Sequence, residues 1–324
     1  MSAVPRSTSG VDRATSGLAA AGSAWLAFWF TPADPRPLAM VRILTGLLGL
    51  ALAGSYAADL EAWFGPGGML PASVAGQSGP PPSLFAVAAS PFALKLLFGV
   101  LVAAIMAVTL GLAGRLACLV AAVLWAGLLN RGPVLVGPAD DCLAVLLWCL
   151  VVGPSGAVWS LDRWIGCRRG APPPTASPWG RVALGLVRVH AVAIAVSLLL
   201  AQLKGDAWWD GTAAWWLTAR SQSRLVDLTG LYRGSEYLMN LVTHAIVAFE
   251  ILFAGGLWFD ATRRIVARVG IVAWPLVGIL AGEPFWGLAL AIFCVPDAFG
   301  SDEMASRCRQ AASLPHGLGN ACAK

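Results

Sequence analysis

The chain has 324 residues, 58% of them hydrophobic and only 12% charged, and its mean hydropathy of +0.72 excludes an ordinary soluble domain. Its formal net charge is +5, but the basic residues fall in short stretches between apolar runs and form no stripe, which argues against nucleic acid as a partner and for membrane topology. The fold class read from this composition is all-α: a polytopic transmembrane helical bundle in a lipid bilayer.

Residues 1–17 are rich in Ser, Gly, Ala and Thr and read as a disordered N-terminus with no cleavable signal peptide. The stretch 18–30 is too short to span and ends in aromatics, so it reads as an interfacial helix. Apolar runs of about 17–25 residues then predict about eight spans, near 37–55, 92–112, 115–130, 141–158, 182–203, 236–258, 264–281 and 284–299. Between the fourth and fifth, GCRRGAPPPTASPWGR reads as part of a Pro-rich cytoplasmic linker, 165–181, that divides the domain 18–300 into two four-helix halves. The polar tail 301–324 is predicted to be disordered.

Orientation follows from Arg and Lys. Arg6, Arg13 and Arg36 precede the first span, Arg115 lies in the second connection, Arg163, Arg168, Arg169 and Arg181 flank the fourth, and Arg263, Arg264 and Arg268 the sixth. These are alternate loops. The bias predicts a multi-pass plasma-membrane protein with both termini cytoplasmic. Cys118, Cys142, Cys149 and Cys294 fall in spans and Cys167, Cys308 and Cys322 on the reducing side, with no CxxC pair and no zinc spacing, so neither disulfides nor a structural metal are expected.

Ionisable side chains inside spans are costly, and each is a functional candidate. Here they are Arg42, Arg188, His190, His244 and Glu250. At about 1.5 Å per residue, Arg42 and Arg188 lie about 8–9 Å and Glu250 about 12 Å from the cytoplasmic ends of their spans. Glu250 is therefore expected to form an intramembrane ion pair with Arg188, Arg42 or both, either to fix helix neighbours or to handle a proton. His190 reads as a satisfied core histidine. His244 lies nearer the outer half and is a candidate for a pocket there.

The outer mouth of the fifth span reads QLKGDAWWDGTAAWW, residues 202–216. An interfacial belt accounts for Trp208, Trp209, Trp215 and Trp216 but leaves Lys204, Asp206 and Asp210 unexplained. Asn130 and Arg131 close the third span and Asp140 and Asp141 open the fourth, so they are candidates for the same mouth, with one aspartate serving as a helix cap. Asp59, Trp63 and the GPGG turn read as a rigid outer lid.

FWFTPADPRPLAMVRILTGLLGL, DLEAWFGPGGMLP, LNRGPVLVGPADDCL, GPSGAVWSLDRW, QLKGDAWWDGTA and HAIVAFEILFAGG succeed one another along the chain. In that order, over residues 25–299, they resemble the HTTM domain family, bacterial relatives of the vitamin K-dependent gamma-carboxylase membrane domain. The resemblance implies a helical bundle with an outer chamber where a reduced quinone meets a peptide glutamate and a deprotonated lysine starts quinone oxygenation. Lys204, Asp206 and Asp210 would then be catalytic, with Trp208, Trp209, Asn130, Arg131, Asp140 and His244 around the substrate and quinone cofactor.

The family pattern here is similar to Lys-Leu-x-Gly-x-x-Trp-x-x-Gly. When Gly205, Trp208 and Gly211 are laid on it, Gln202 fills the lysine position and Lys204 is displaced by two residues, about 200° around a helix. That argues against vitamin K-dependent carboxylation itself. Two functions remain: an enzyme acting on a peptide or lipid at the outer face with a quinone, or a noncatalytic membrane component in the maturation, export or immunity of a small secreted peptide. Lys204 in a closed aromatic pocket favours the first, and Lys204 in open water the second.

Overall fold

A computed structural model of the protein describes residues 22–69, 84–85, 90–220 and 224–300. The N-terminus 1–17, the tail 301–324, and Arg6, Arg13, Cys308 and Cys322 lie outside the described residues. Within them the chain is all-helical, with no strand. A helix over 22–30 (α1) leads to α2 Pro35–Ala57 and α3 Leu60–Phe64, then α4 Pro91–Leu110, α5 Gly114–Arg131, α6 Pro138–Val152 and α7 Leu161–Arg168. Next come α8 Pro178–Gln202, α9 Asp206–Trp209, α10 Ala213–Ala219, α11 Thr229–Gly234, α12 Glu236–Gly256, α13 Asp260–Ala281 and α14 Pro284–Phe299.

The chain marks its own helix starts. α2, α4, α6, α8 and α14 begin on proline, whose fixed φ suits the first turn and whose missing N–H would have no partner there. Ser90, Ser160 and Ser235 each accept a hydrogen bond from a backbone N–H three residues on, which caps α4, α7 and α12.

Six helices, α2, α4, α5, α8, α12 and α13, are long and apolar enough to cross a membrane. The expectation of about eight spans is met by length in these six only, because α6 has 15 residues and α14 has 16. At about 1.5 Å per residue, both fall short of a hydrocarbon core of about 30 Å. Both short helices are well enclosed, α14 most of all. α14 packs on α13, α2, α6 and α8, and α6 also packs on α5, α2 and α8. The two sequence halves therefore share one core.

α13 and α14 form a tight hairpin. A Cβ at Gly278 would stand 2.8 Å from the Gly287 Cα, and one at Gly287 would stand 2.7 Å from the Trp274 carbonyl, so only glycine permits this approach. The stretch read as a linker, 165–181, takes in the second half of α7 and the first turn of α8, and it is fastened by paired backbone hydrogen bonds between Ala33 and Ser177, 3.2 Å each.

Candidate functional site

The bundle has two ends, one carrying Arg42 and α7, the other carrying Asp140 and Lys204. At the first end, Arg42 of α2 is 1% exposed. Its Nε donates to the Ser155 carbonyl (3.1 Å), Nη1 to those of Val108 (2.7 Å) and Thr109 (2.9 Å), and Nη2 to that of Trp159 (2.6 Å). Val108 and Thr109 lie in the last turn of α4, where carbonyls lack i+4 helical partners and Val108 keeps only the capping Gly111 N–H at 3.1 Å. The planar fork of guanidinium donors serves these diverging acceptors without a carboxylate. Gly111 makes room: it sits at φ +70°, and a Cβ there would run into Ser160 and the Arg42 guanidinium.

Arg188 of α8 meets Asp297 of α14 in a buried bidentate pair, with Nε at 2.9 and 3.1 Å from the two carboxylate oxygens and Nη2 on Oδ1. The guanidinium carbon also lies 5.6 Å from the Phe28 ring centroid of α1. The expected pairing of Glu250 with Arg188 or Arg42 is thus not what forms. Arg42 is taken up by carbonyls, and Arg188 by a carboxylate that stands in the last apolar run. The sequence signal for Asp297 is a lone acid in the final turn of that run, a position too near the helix end to count among charges inside spans.

Glu250 of α12, 1% exposed, accepts instead from Gln202 Nε2 at 2.8 Å. Gln202 is the last residue of α8 and is itself buried, and its Oε1 has no partner. One turn further along α12, Phe253 packs edge-on against Trp274 (ring centroids 5.3 Å), which also meets Phe249 at 5.1 Å. His190 places Nδ1 2.8 Å from the Leu186 carbonyl of its own helix. His244 is exposed on α12.

At the opposite end α8 stops at Gln202, and Gly205 is extended at φ −105°, ψ 118°. Leu203 keeps helical dihedrals and the Lys204 N–H still reaches the Ala201 carbonyl (3.2 Å), so the chain leaves the helix only at Gly205, and Lys204, Asp206 and Asp210 are all exposed. Trp208 is half-buried, and Trp209 is 67% exposed with its Nε1 donating to the Leu203 carbonyl (3.1 Å). The Thr212 hydroxyl (2.6 Å) and backbone N–H (2.9 Å) donate to Asp210 Oδ1 and hold its carboxyl below the ordinary value. Buried Thr243 of α12 anchors the segment 211–214. Its hydroxyl accepts from the Ala214 N–H (2.9 Å) and donates to the Gly211 carbonyl (2.8 Å).

A second group gathers around α5 and α6. Asp140 is the capping aspartate, with Oδ2 accepting from the Gly137 N–H (2.9 Å) and the Tyr56 hydroxyl (2.8 Å), while Trp125 Nε1 donates to its carbonyl at 3.1 Å. Its Oδ1 is buried without a partner. Arg131, 3% exposed, donates from Nη2 to the Gly65 carbonyl (2.8 Å) and ties α5 to the GPGG turn. Asn130 and Asp141 line an open pocket of about 350 Å³ with Ala126, Leu129, Pro133 and Val136. The residues expected at one mouth thus form two groups on different helices, because α10 packs on α12 and α13. Tyr56, Gln202, Thr243 and Asp297 carry polar contacts that spacing alone does not reveal.

The chain matches no protein-family model, no curated protein and no solved structure.

Proposed function

We propose that the chain is an HTTM-type, multi-pass protein of the plasma membrane that acts as a noncatalytic component, binding a small secreted peptide at its outer face during maturation, export or immunity. In this reading α6 and α14 also cross, giving eight spans with both termini cytoplasmic. Their enclosure by longer helices supports that count, because lateral contact with protein relaxes the length that lipid would demand.

The observation that carries the reading is the state of the two residues at the family's lysine. Gln202 turns inward to Glu250, and Lys204 is exposed. A base for quinone oxygenation needs a dry, enclosed lysine. An exposed Lys204 beside Asp206, Asp210 and the 67% exposed Trp209 suits contact with a peptide that carries both charge and apolar surface.

The test is capture. The full chain in nanodiscs, with a photo-crosslinking residue replacing Asp206, is irradiated with each small secreted peptide that a search of the neighbouring genes yields, and intact mass is read. An adduct carrying the peptide at its unmodified mass is expected. A peptide whose mass changes when reduced quinone and bicarbonate are supplied, and changes no longer with Lys204→Ala, would establish the enzymatic reading instead.

A further inference from the structure

We propose that Glu250 and Gln202 form a neutral acid–amide pair, a proton-binding site within the membrane that is independent of any peptide bound at the outer face. Gln202 Nε2 donates to Glu250 Oε2, and the Glu250 carboxyl, carrying the proton, donates back to Gln202 Oε1.

The first support is the unpaired acceptor. Gln202 is only 9% exposed and its Oε1 has no partner, although its Nε2 lies 2.8 Å from Glu250 Oε2. An ionised carboxylate is acceptor-only and has nothing to give that oxygen, whereas a carboxylic acid has one donor and matches an amide with two reciprocal hydrogen bonds. Turning the amide over does not remove the requirement. It would bring Oε1 against Oε2, and two acceptors meet only with a hydrogen between them.

The second support is the charge around the pair. On α8, Arg181 donates to the Phe28 carbonyl, Arg188 is held by Asp297, His190 is bonded to the Leu186 carbonyl, and Lys204 is exposed beyond the helix end. On α12, His244 and Glu236 are exposed toward the N-terminal end. On α13, Asp260, Arg263, Arg264 and Arg268 sit in the first turns, where Arg263 reaches the Leu257 carbonyl and Arg268 that of Ala298. α10 carries no ionisable residue, and Arg233 of α11 lies over the Trp215 ring at 5.6 Å. Among the described residues no cation pairs with Glu250. A 1% exposed carboxylate so placed has only the amide to offset its charge.

The pair also sits at a joint. Gln202 ends α8, and the chain it releases is refastened to α12 through Thr243, seven residues from Glu250. The proton therefore adds a second hydrogen bond between the two helices that frame the segment 203–212.

Difference infrared spectroscopy on the full chain in lipid nanodiscs tests this at neutral pH. Wild type is expected to show the carbonyl stretch of a protonated carboxylic acid, to shift it with glutamate-selective ¹³C labelling and in D₂O, and to lose it in Glu250→Gln. Gln202→Leu should move the band to higher frequency as the amide partner is lost. Glu250→Gln keeps a donor and an acceptor at the same place and is expected to elute as wild type does. If it does not fold, the ¹³C shift in the unsubstituted chain still decides. A labelled glutamate spectrum with carboxylate stretches and no acid band would overturn the proposal.

Discussion

Arg42 ties together chain segments that are far apart in sequence. Its four acceptors come from the last turn of α4 and from the connection between α6 and α7. Each buried carbonyl left unpaired costs about 1–3 kcal/mol, so Arg42→Leu should lower stability by about 3 kcal/mol or more, read as a fall in unfolding temperature in detergent. Arg42→Lys should recover only part, because one ammonium cannot copy a planar fork. The Arg188–Asp297 pair behaves differently. Removing either partner strands a buried charge, about 3–5 kcal/mol. The double variant Arg188→Leu, Asp297→Leu should restore much of that, and a double-mutant cycle measures the coupling.

Asp210 supplies the pH dependence at this scale. Its carboxyl is held below the ordinary range first by the Thr212 hydroxyl and then by the Thr212 N–H. A depressed folded-state value means that the support is present above the ordinary value of about 3.9 and is lost as pH falls through the lower one. Thr212→Val should move the Asp210 midpoint up toward that ordinary value, as read by NMR titration of labelled aspartate.

Among the elements, the long helices were legible because apolar runs, N-terminal prolines and serine caps coincide. The short ones were not. α7 has eight residues with none buried, so neither length nor hydropathy set it apart from a linker, and only the cap at Ser160 marks it. α10 packs on α12 and α13 and is fastened by Thr243, whose hydroxyl satisfies one donor and one acceptor of the segment 211–214. Thr243→Val should free both, and hydrogen exchange should quicken across 206–219 while α12 stays protected. The α13–α14 hairpin has no such tolerance. A leucine at Gly287 would need space already occupied by the Trp274 carbonyl and Pro275, so Gly287→Leu is expected to cost about 1–3 kcal/mol and to lower the yield of folded protein.

For the whole molecule, the arrangement of basic loops makes a direct prediction about sidedness. In a background with its own cysteines replaced, single cysteines at 141 and 206 should react with an impermeant maleimide from outside intact cells, and those at 163 and 264 only after the membrane is opened. Labelling at 206 from the interior would remove the basis for an outer binding face. What the amino-acid sequence determined by itself is the class of object: apolar transfer from water is a sum over residues along the chain, so helical runs and their starts can be counted without knowing any neighbour. Partners cannot be counted that way. That Arg188 meets Asp297, that Glu250 meets Gln202, and that Lys204 stands apart from Asn130 and Asp140 were decided only by the tertiary structure, because a hydrogen bond or ion pair depends on which two helices touch and at what depth, and hydropathy is blind to both.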